Sequence, residues 1–148
     1  MSADQSTILL VEDEPLVRLF VSDLLQDADF KVVEASNAAE ARVILEAGLP
    51  VSVLLTDVEM PGTWNGYELA HWVHESWPGI QILVTSGRQW PEEGDLPPGA
   101  AFLAKPCPND AIVSHVQSAA ERTREGSRRT DRGASYGTAK ILHFPRTA

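Results

Sequence analysis

At 148 residues, 43% of them apolar and 22% charged, the chain has enough material for one buried core and the composition of a soluble globular domain. No apolar run reaches the ~20 residues that cross a bilayer, the first seven residues lack the basic start and apolar core of a signal peptide, and the lone Cys107 excludes an internal disulfide and a cysteine zinc cluster. From Glu121 onward seven Lys/Arg stand against three acids, a net +4, so with an overall −9 the preceding body carries −13, which opposes nucleic-acid binding.

Apolar periodicity fades at the same boundary. The expectation is one domain at 5–121, a basic and flexible tail at 122–148, no membrane insertion, and a cytoplasmic protein. Along the chain, Thr7–Val11 is a continuous apolar run of the kind buried on both faces of a parallel sheet. It ends in Glu12, Asp13 and Glu14, and Pro15 then opens a helix over 15–27. The rows Leu16/Phe20/Leu24 and Val17/Val21/Leu25 predict one inward apolar face for that helix. A helix dipole explains one acid well and three poorly, because adjacent carboxylates repel unless a cation neutralises them.

Phe30–Glu34 reads as a strand, and Asn37 caps a helix over 38–47 with Ala41, Ile44 and Leu45 inward. Val51–Asp57 is a third buried strand; it stops on Asp57, shortly before the turn pair Pro61-Gly62. A helix over 66–76 follows, with Leu69, Trp72 and Val73 inward, while His71 and His74 are expected on a solvated face rather than in a metal site. Ile80–Ser86 is a fourth strand, ending in Thr85-Ser86-Gly87, hydroxyls and exposed backbone suited to phosphoryl oxygens. Between Arg88 and Gly99, three prolines and two glycines leave room only for a short or irregular helix. Ala100–Lys105 is the fifth strand, and Pro106 keeps Lys105 extended up to the rim. Cys107 is expected to be a loop thiol without a role; Asn109 or Asp110 caps a last helix with Ile112, Val113, Val116 and Ala120 on one face.

Alternating strands and helices predict a (βα)5 unit: a three-layer αβα sandwich on a flavodoxin-like parallel sheet of order 2-1-3-4-5. In that order Glu12 and Asp13 converge on Asp57, with Thr85 and Lys105 approaching from the other side. Three carboxylates suit Mg²⁺, a lysine offsets negative charge and a threonine donates a hydrogen bond, so these parts together suit a phosphoryl group.

On Glu12-Asp13, Asp57 with Met60-Pro61, Gly66-Tyr67-Glu68-Leu69, Thr85-Ser86-Gly87, Phe102 and Lys105-Pro106, the chain resembles the response regulator receiver domain of two-component signalling over about residues 7–120. The resemblance implies that Asp57 takes a phosphoryl group from a sensor histidine kinase or histidine phosphotransfer protein. It implies Mg²⁺ at Asp13, Asp57 and the Glu59 backbone carbonyl, with Glu12 acting largely through water. Lys105 and Thr85 would bind the phosphoryl oxygens, Thr85 swinging toward them as Phe102 turns inward. Such a domain is no turnover enzyme, having at most self-phosphorylation and self-dephosphorylation, and it signals through protein contacts with an unknown downstream protein.

Two departures bear on that output. The loop from Pro61 to Gly66 is one residue longer than in many receivers, and Arg88–Gly99 resembles the Leu-Pro-Pro-Gly-Ala segment of some alphaproteobacterial single-domain receivers instead of a regular fourth helix. The rival readings are an aspartate-nucleophile phosphatase, recognisable by multiple turnover of a phosphomonoester, and a nucleic-acid-binding regulator using the Arg-rich tail, recognisable by salt-sensitive binding lost with residues 122–148.

Overall fold

The computed structural model describes residues 5–128 and 140–142. Strands β1 (Thr7–Val11), β2 (Lys31–Ala35), β3 (Val53–Asp57), β4 (Gln81–Ser86) and β5 (Ala101–Ala104) pair in parallel in the expected order 2-1-3-4-5. Helices α1 (Pro15–Asp27), α2 (Ala38–Glu46), α3 (Gly66–Ser76) and α4 (Asn109–Arg128) alternate with them. Between β4 and β5 there is no helix; Glu92–Gly99 runs in turns around Gly94 and Gly99, both at positive φ, where prolines remove backbone donors. Helix α4 runs past the boundary expected at 121. A short strand, β6 (Lys140–Leu142), pairs in parallel with β5, Phe102 opposite Ile141. The rest of the expected tail lies outside the described residues.

Alternate sheet residues feed two cores. On one side Leu9, Val11, Leu54, Val84 and Phe102 pack with α2 and α3 through Ala41, Leu45, Leu69 and Val73. On the other Ile8, Leu10, Val53, Leu55, Leu83 and Leu103 meet Leu25, Val116 and Ala120. Every residue of β3 is buried, the pattern of a strand covered on both faces. The inward apolar face expected for α1 is only half present. Ser22 and Leu25 are buried, but Leu16 is 79%, Leu19 54% and Phe20 53% exposed. Only the C-terminal half of α1 lies over the sheet, so its first two turns stand clear of the core.

His71 also departs from expectation. Its Nε2 donates toward the carbonyls of Gly94 (2.8 Å) and Asp95 (3.0 Å), tying α3 to the proline-rich segment instead of facing water. Cys107 is half-buried against the second core.

Candidate functional site

Because β1 and β3 are neighbours, the acids that follow Val11 meet the acid that ends β3. One carboxylate oxygen each of Glu12, Asp13 and Asp57 lies within 4.8 Å of the others. The β1–α1 turn is held by backbone and side-chain bonds: Glu12 N donates to Ala35 O (3.0 Å), Glu14 N donates to Glu12 Oε2 (3.1 Å), and Arg18 Nη1 donates to Glu12 O (2.7 Å). Asp57 is held from the far side, where Val58 N donates to Thr85 O (2.9 Å) and Gly66 N to Val58 O (3.0 Å). Gly66 packs so close that a Cβ there would stand 2.2 Å from Asp57 O, so only glycine admits α3 at this point.

Lys105 follows β5 directly, joined to Pro106 by a cis peptide bond. Its Nζ lies 3.3 Å from Asp57 Oδ1 and 3.4 Å from Glu12 Oε1. The Asp57 contact is an ion pair without hydrogen-bond alignment, so Oδ1 is buried with no hydrogen-bond partner. Burial pushes the Asp57 carboxyl up to about 6; Lys105 pulls against this, while Glu12 and Glu59 add to it. Burial works against the Lys105 ammonium, but Asp57 and Glu12 outweigh it and hold the group above its ordinary value. Crowded hard-oxygen donors with one orphaned oxygen form a donor set that fits Mg²⁺.

Thr85 sits opposite Asp57 in the β3–β4 register, its hydroxyl reaching Thr56 O at 3.5 Å rather than the carboxylate. Phe102 is fully buried in the first core, so its ring already occupies an inward position in this conformation. The aromatic ring standing outside beside it is Trp90, 44% exposed and 5.5 Å from Phe102.

The family resemblance implied a role for the Glu59 backbone carbonyl only. Its side chain accepts a hydrogen bond from Ser86 Oγ, which in turn accepts from Arg88 N (3.1 Å) and Gln89 N (2.8 Å). Tyr67 Oη donates to Gln89 O (2.5 Å). A buried serine hydroxyl thus joins the acidic cluster to the start of the proline-rich segment. The sequence marked Ser86 as one of the hydroxyls that end the fourth strand, but nothing local pairs it with Glu59 or with the amides of Arg88 and Gln89.

A doubly wound parallel sheet with carboxylates and a lysine gathered at the C-terminal ends of its strands defines a phosphoryl-handling α/β domain. The chain belongs to the response regulator receiver domain family, whose model matches residues 8–117. Response regulator receiver protein CpdR of Brucella abortus is 33% identical over 113 residues, covering 74% of this chain and 92% of that protein. Hydrogenase transcriptional regulatory protein HoxA of Cupriavidus necator is 35% identical over 82% of this chain, but the chain spans only 25% of that relative. It spans 26% of the transcriptional regulator DctD of Pseudomonas aeruginosa and 56% of Rre1 of Synechocystis. The crystal structure of a response regulator receiver protein from Sinorhizobium medicae superposes with a TM-score of 0.75 at 27% identity, covering 82% of this chain and 99% of that one. The receiver domain of the hybrid histidine kinase CckA gives 0.66 at 29% identity, covering 78% and 99%. No described helix is long and apolar enough to cross a membrane.

Proposed function

We propose that Asp57 is the phosphoryl acceptor of this receiver, and that the domain passes its state to a partner through the segment between β4 and β5. The observation that carries the proposal is Asp57 Oδ1 itself: a buried carboxylate oxygen without a hydrogen-bond partner at the end of the central strand, beside a lysine and two further acids. In the transfer, an Asp57 carboxylate oxygen attacks phosphorus, the bond from phosphorus to the donor's histidine nitrogen breaks, and the nitrogen keeps the electron pair. Asp13, Asp57 and the Glu59 carbonyl would hold Mg²⁺, with Glu12 contributing through water; bound there, Mg²⁺ supplies neutralisation of the charge that develops on the transferring oxygens. Lys105 would pair with those oxygens, and Thr85 would leave Thr56 O to donate to one of them. Ser86, bonded to Glu59 on one side and to Arg88 and Gln89 on the other, would transmit that change to the segment.

The phosphodonor is a sensor histidine kinase or a histidine phosphotransfer protein. A landing surface for it is offered by the exposed Leu16, Leu19 and Phe20, which begin three residues after Asp13. The deciding experiment is mass spectrometry after incubation with acetyl phosphate and Mg²⁺. Wild type gains one phosphoryl group; Asp57→Asn gains none, and EDTA abolishes the gain. Unchanged labelling of the mutant would sink the assignment.

A further inference from the structure

The face of α3 away from the acidic cluster carries a second constellation. An open groove of about 560 Å³ runs between α3 and the turn at Gly94–Asp95. Its walls include Trp64 and Trp72, whose ring centroids are 5.8 Å apart and whose planes are tilted 55°, and the acids Glu68, Glu75 and Asp95; Glu68 Oε1 accepts from Asn65 N and Asp95 Oδ2 from Glu92 N, both at 2.8 Å, which leaves each acid its second oxygen. Among the described residues, no lysine or arginine lines it. The one basic ring there, His71, spends its Nε2 on the two carbonyls at 94 and 95.

These rings already hold a cation on another side. The Arg42 guanidinium, reaching across from α2, lies 4.3 Å from the Trp64 centroid and 5.4 Å from that of Trp72, and it lines a separate small cavity with Thr63 and Trp64. Trp64 borders both spaces, so Arg42 serves one and leaves the groove to another ligand. Trp72 is also met edge-on by Trp77, with centroids 5.0 Å apart, so the ring surface bordering the groove, its acids and a space ample for a large side chain favour a planar, weakly hydrated cation. We infer that the groove binds an arginine side chain presented by a basic segment of a partner protein, its guanidinium stacked on Trp64 or Trp72 and paired with Glu75 and Asp95.

An ammonium fits less well, because its tightly held water must be removed to reach the rings and its point charge cannot stack. Charge complementarity favours a polypeptide partner, since the acidic body of this chain draws basic segments in general and the two indoles give arginine its advantage among them. Asp95 belongs to the segment proposed to carry the output, but binding of an arginine here does not depend on phosphorylation.

The test is titration of the full, unphosphorylated chain with the peptide Ac-Ala-Arg-Ala-Arg-Ala-NH2, followed by NMR of the four indole N–H signals. The expected result is saturable shifts at Trp64 and Trp72, little change at Trp90, and affinity at least about five-fold weaker for the lysine counterpart. The double variant Glu75→Gln/Asp95→Asn, two conservative changes on a polar wall, should weaken the arginine peptide by about five-fold with amide dispersion preserved. Glu40→Gln/Glu46→Gln, on α2, should not. Equal affinity for both peptides, shifts spread evenly over the four indoles, equal weakening by both double variants, or no shift at all would each overturn the inference. Because no phosphoryl group is present, failure here leaves the assignment of Asp57 untouched, and failure of that assignment leaves the groove untouched.

Discussion

Lys105 Nζ stands 3.3 Å from Asp57 Oδ1, yet the contact leaves that oxygen without a hydrogen bond and its carboxyl pushed up to about 6. The pull of the lysine on the carboxylate is weaker than the penalty of burying it. Desolvation and the charges of Glu12 and Glu59 therefore prevail over it, and the site holds an ionised aspartate at a cost that an incoming cation would remove.

That cost predicts a pH-dependent effect of Asp57→Asn in metal-free protein. A folded-state value near 6 against an ordinary 3.8 means that the native state favours the protonated form. The corresponding stability is complete below the unfolded value and lost as pH rises through about 6. Removing the ionisable group should hence stabilise the fold at pH 7.5 by on the order of 1–3 kcal/mol. Near pH 3.5 the advantage should vanish. Urea melts of both proteins in EDTA at the two pH values measure it; an equal gain at both would refute the cause.

Lys105→Met removes the positive charge that pulls the Asp57 carboxyl down, so that carboxyl should titrate above about 6, read from its carbon chemical shift. Labelling by acetyl phosphate should survive, since Lys105 is assigned to the phosphoryl oxygens after transfer. Phosphorylation-dependent changes elsewhere should be lost. A titration moved downward would contradict the ion pair.

Gly66→Ala should be among the most damaging small substitutions in the chain. Its Cβ would press on Asp57 O, which belongs to the backbone of the central strand and cannot rotate aside. We expect destabilisation of about 2–4 kcal/mol and slower labelling of Asp57. Thermal melts and the acetyl phosphate assay check the two halves separately.

Ser86→Ala should release the turn at Arg88 and Gln89 without disturbing β4, which is held by its parallel ladder to β3 and β5. Hydrogen exchange should speed up at those two amides. Adding beryllofluoride and Mg²⁺ to wild type should change exchange most across 86–102, and the variant should lose much of that response. Change confined to 108–121 in wild type would locate the output in α4 instead.

Substituting Leu16→Ser together with Phe20→Ser should slow transfer from a phosphohistidine protein about ten-fold or more while leaving acetyl phosphate labelling intact, since the two side chains are exposed and their loss opens no core cavity. Equal slowing with both donors would place their role in the fold.

The sheet and the acidic cluster were legible because they rest on short-range signals. Continuous apolar runs mark strands covered on both faces, and a run that stops on an acid places that acid at a strand end. Once the order 2-1-3-4-5 is reached, Glu12, Asp13, Asp57 and Lys105 have nowhere else to go. The exposure of α1 was not legible, because heptad-like spacing says which residues share a face and not what lies opposite. Leu16 and Leu25 look alike in the sequence; only the helix's position over the sheet separates them. Phe102 was read from resemblance as a ring with two positions, and its burial depends on packing by distant residues, Trp90 among them. The Ser86–Glu59 link joins side chains brought together by the β3–β4 pairing, and no local pattern announces it.

Strand β6 covers the outer flank of β5 from Ala101 to Leu103. Without it, the backbone amides and carbonyls on that side would form an unpaired ladder next to Phe102, open to the same ladder on another molecule. With it, the flank ends in a strand of only three residues, too short to template a fibril-like stack. A chain cut before Lys140 should consequently self-associate more readily at high concentration, although nothing around Asp57 has been altered.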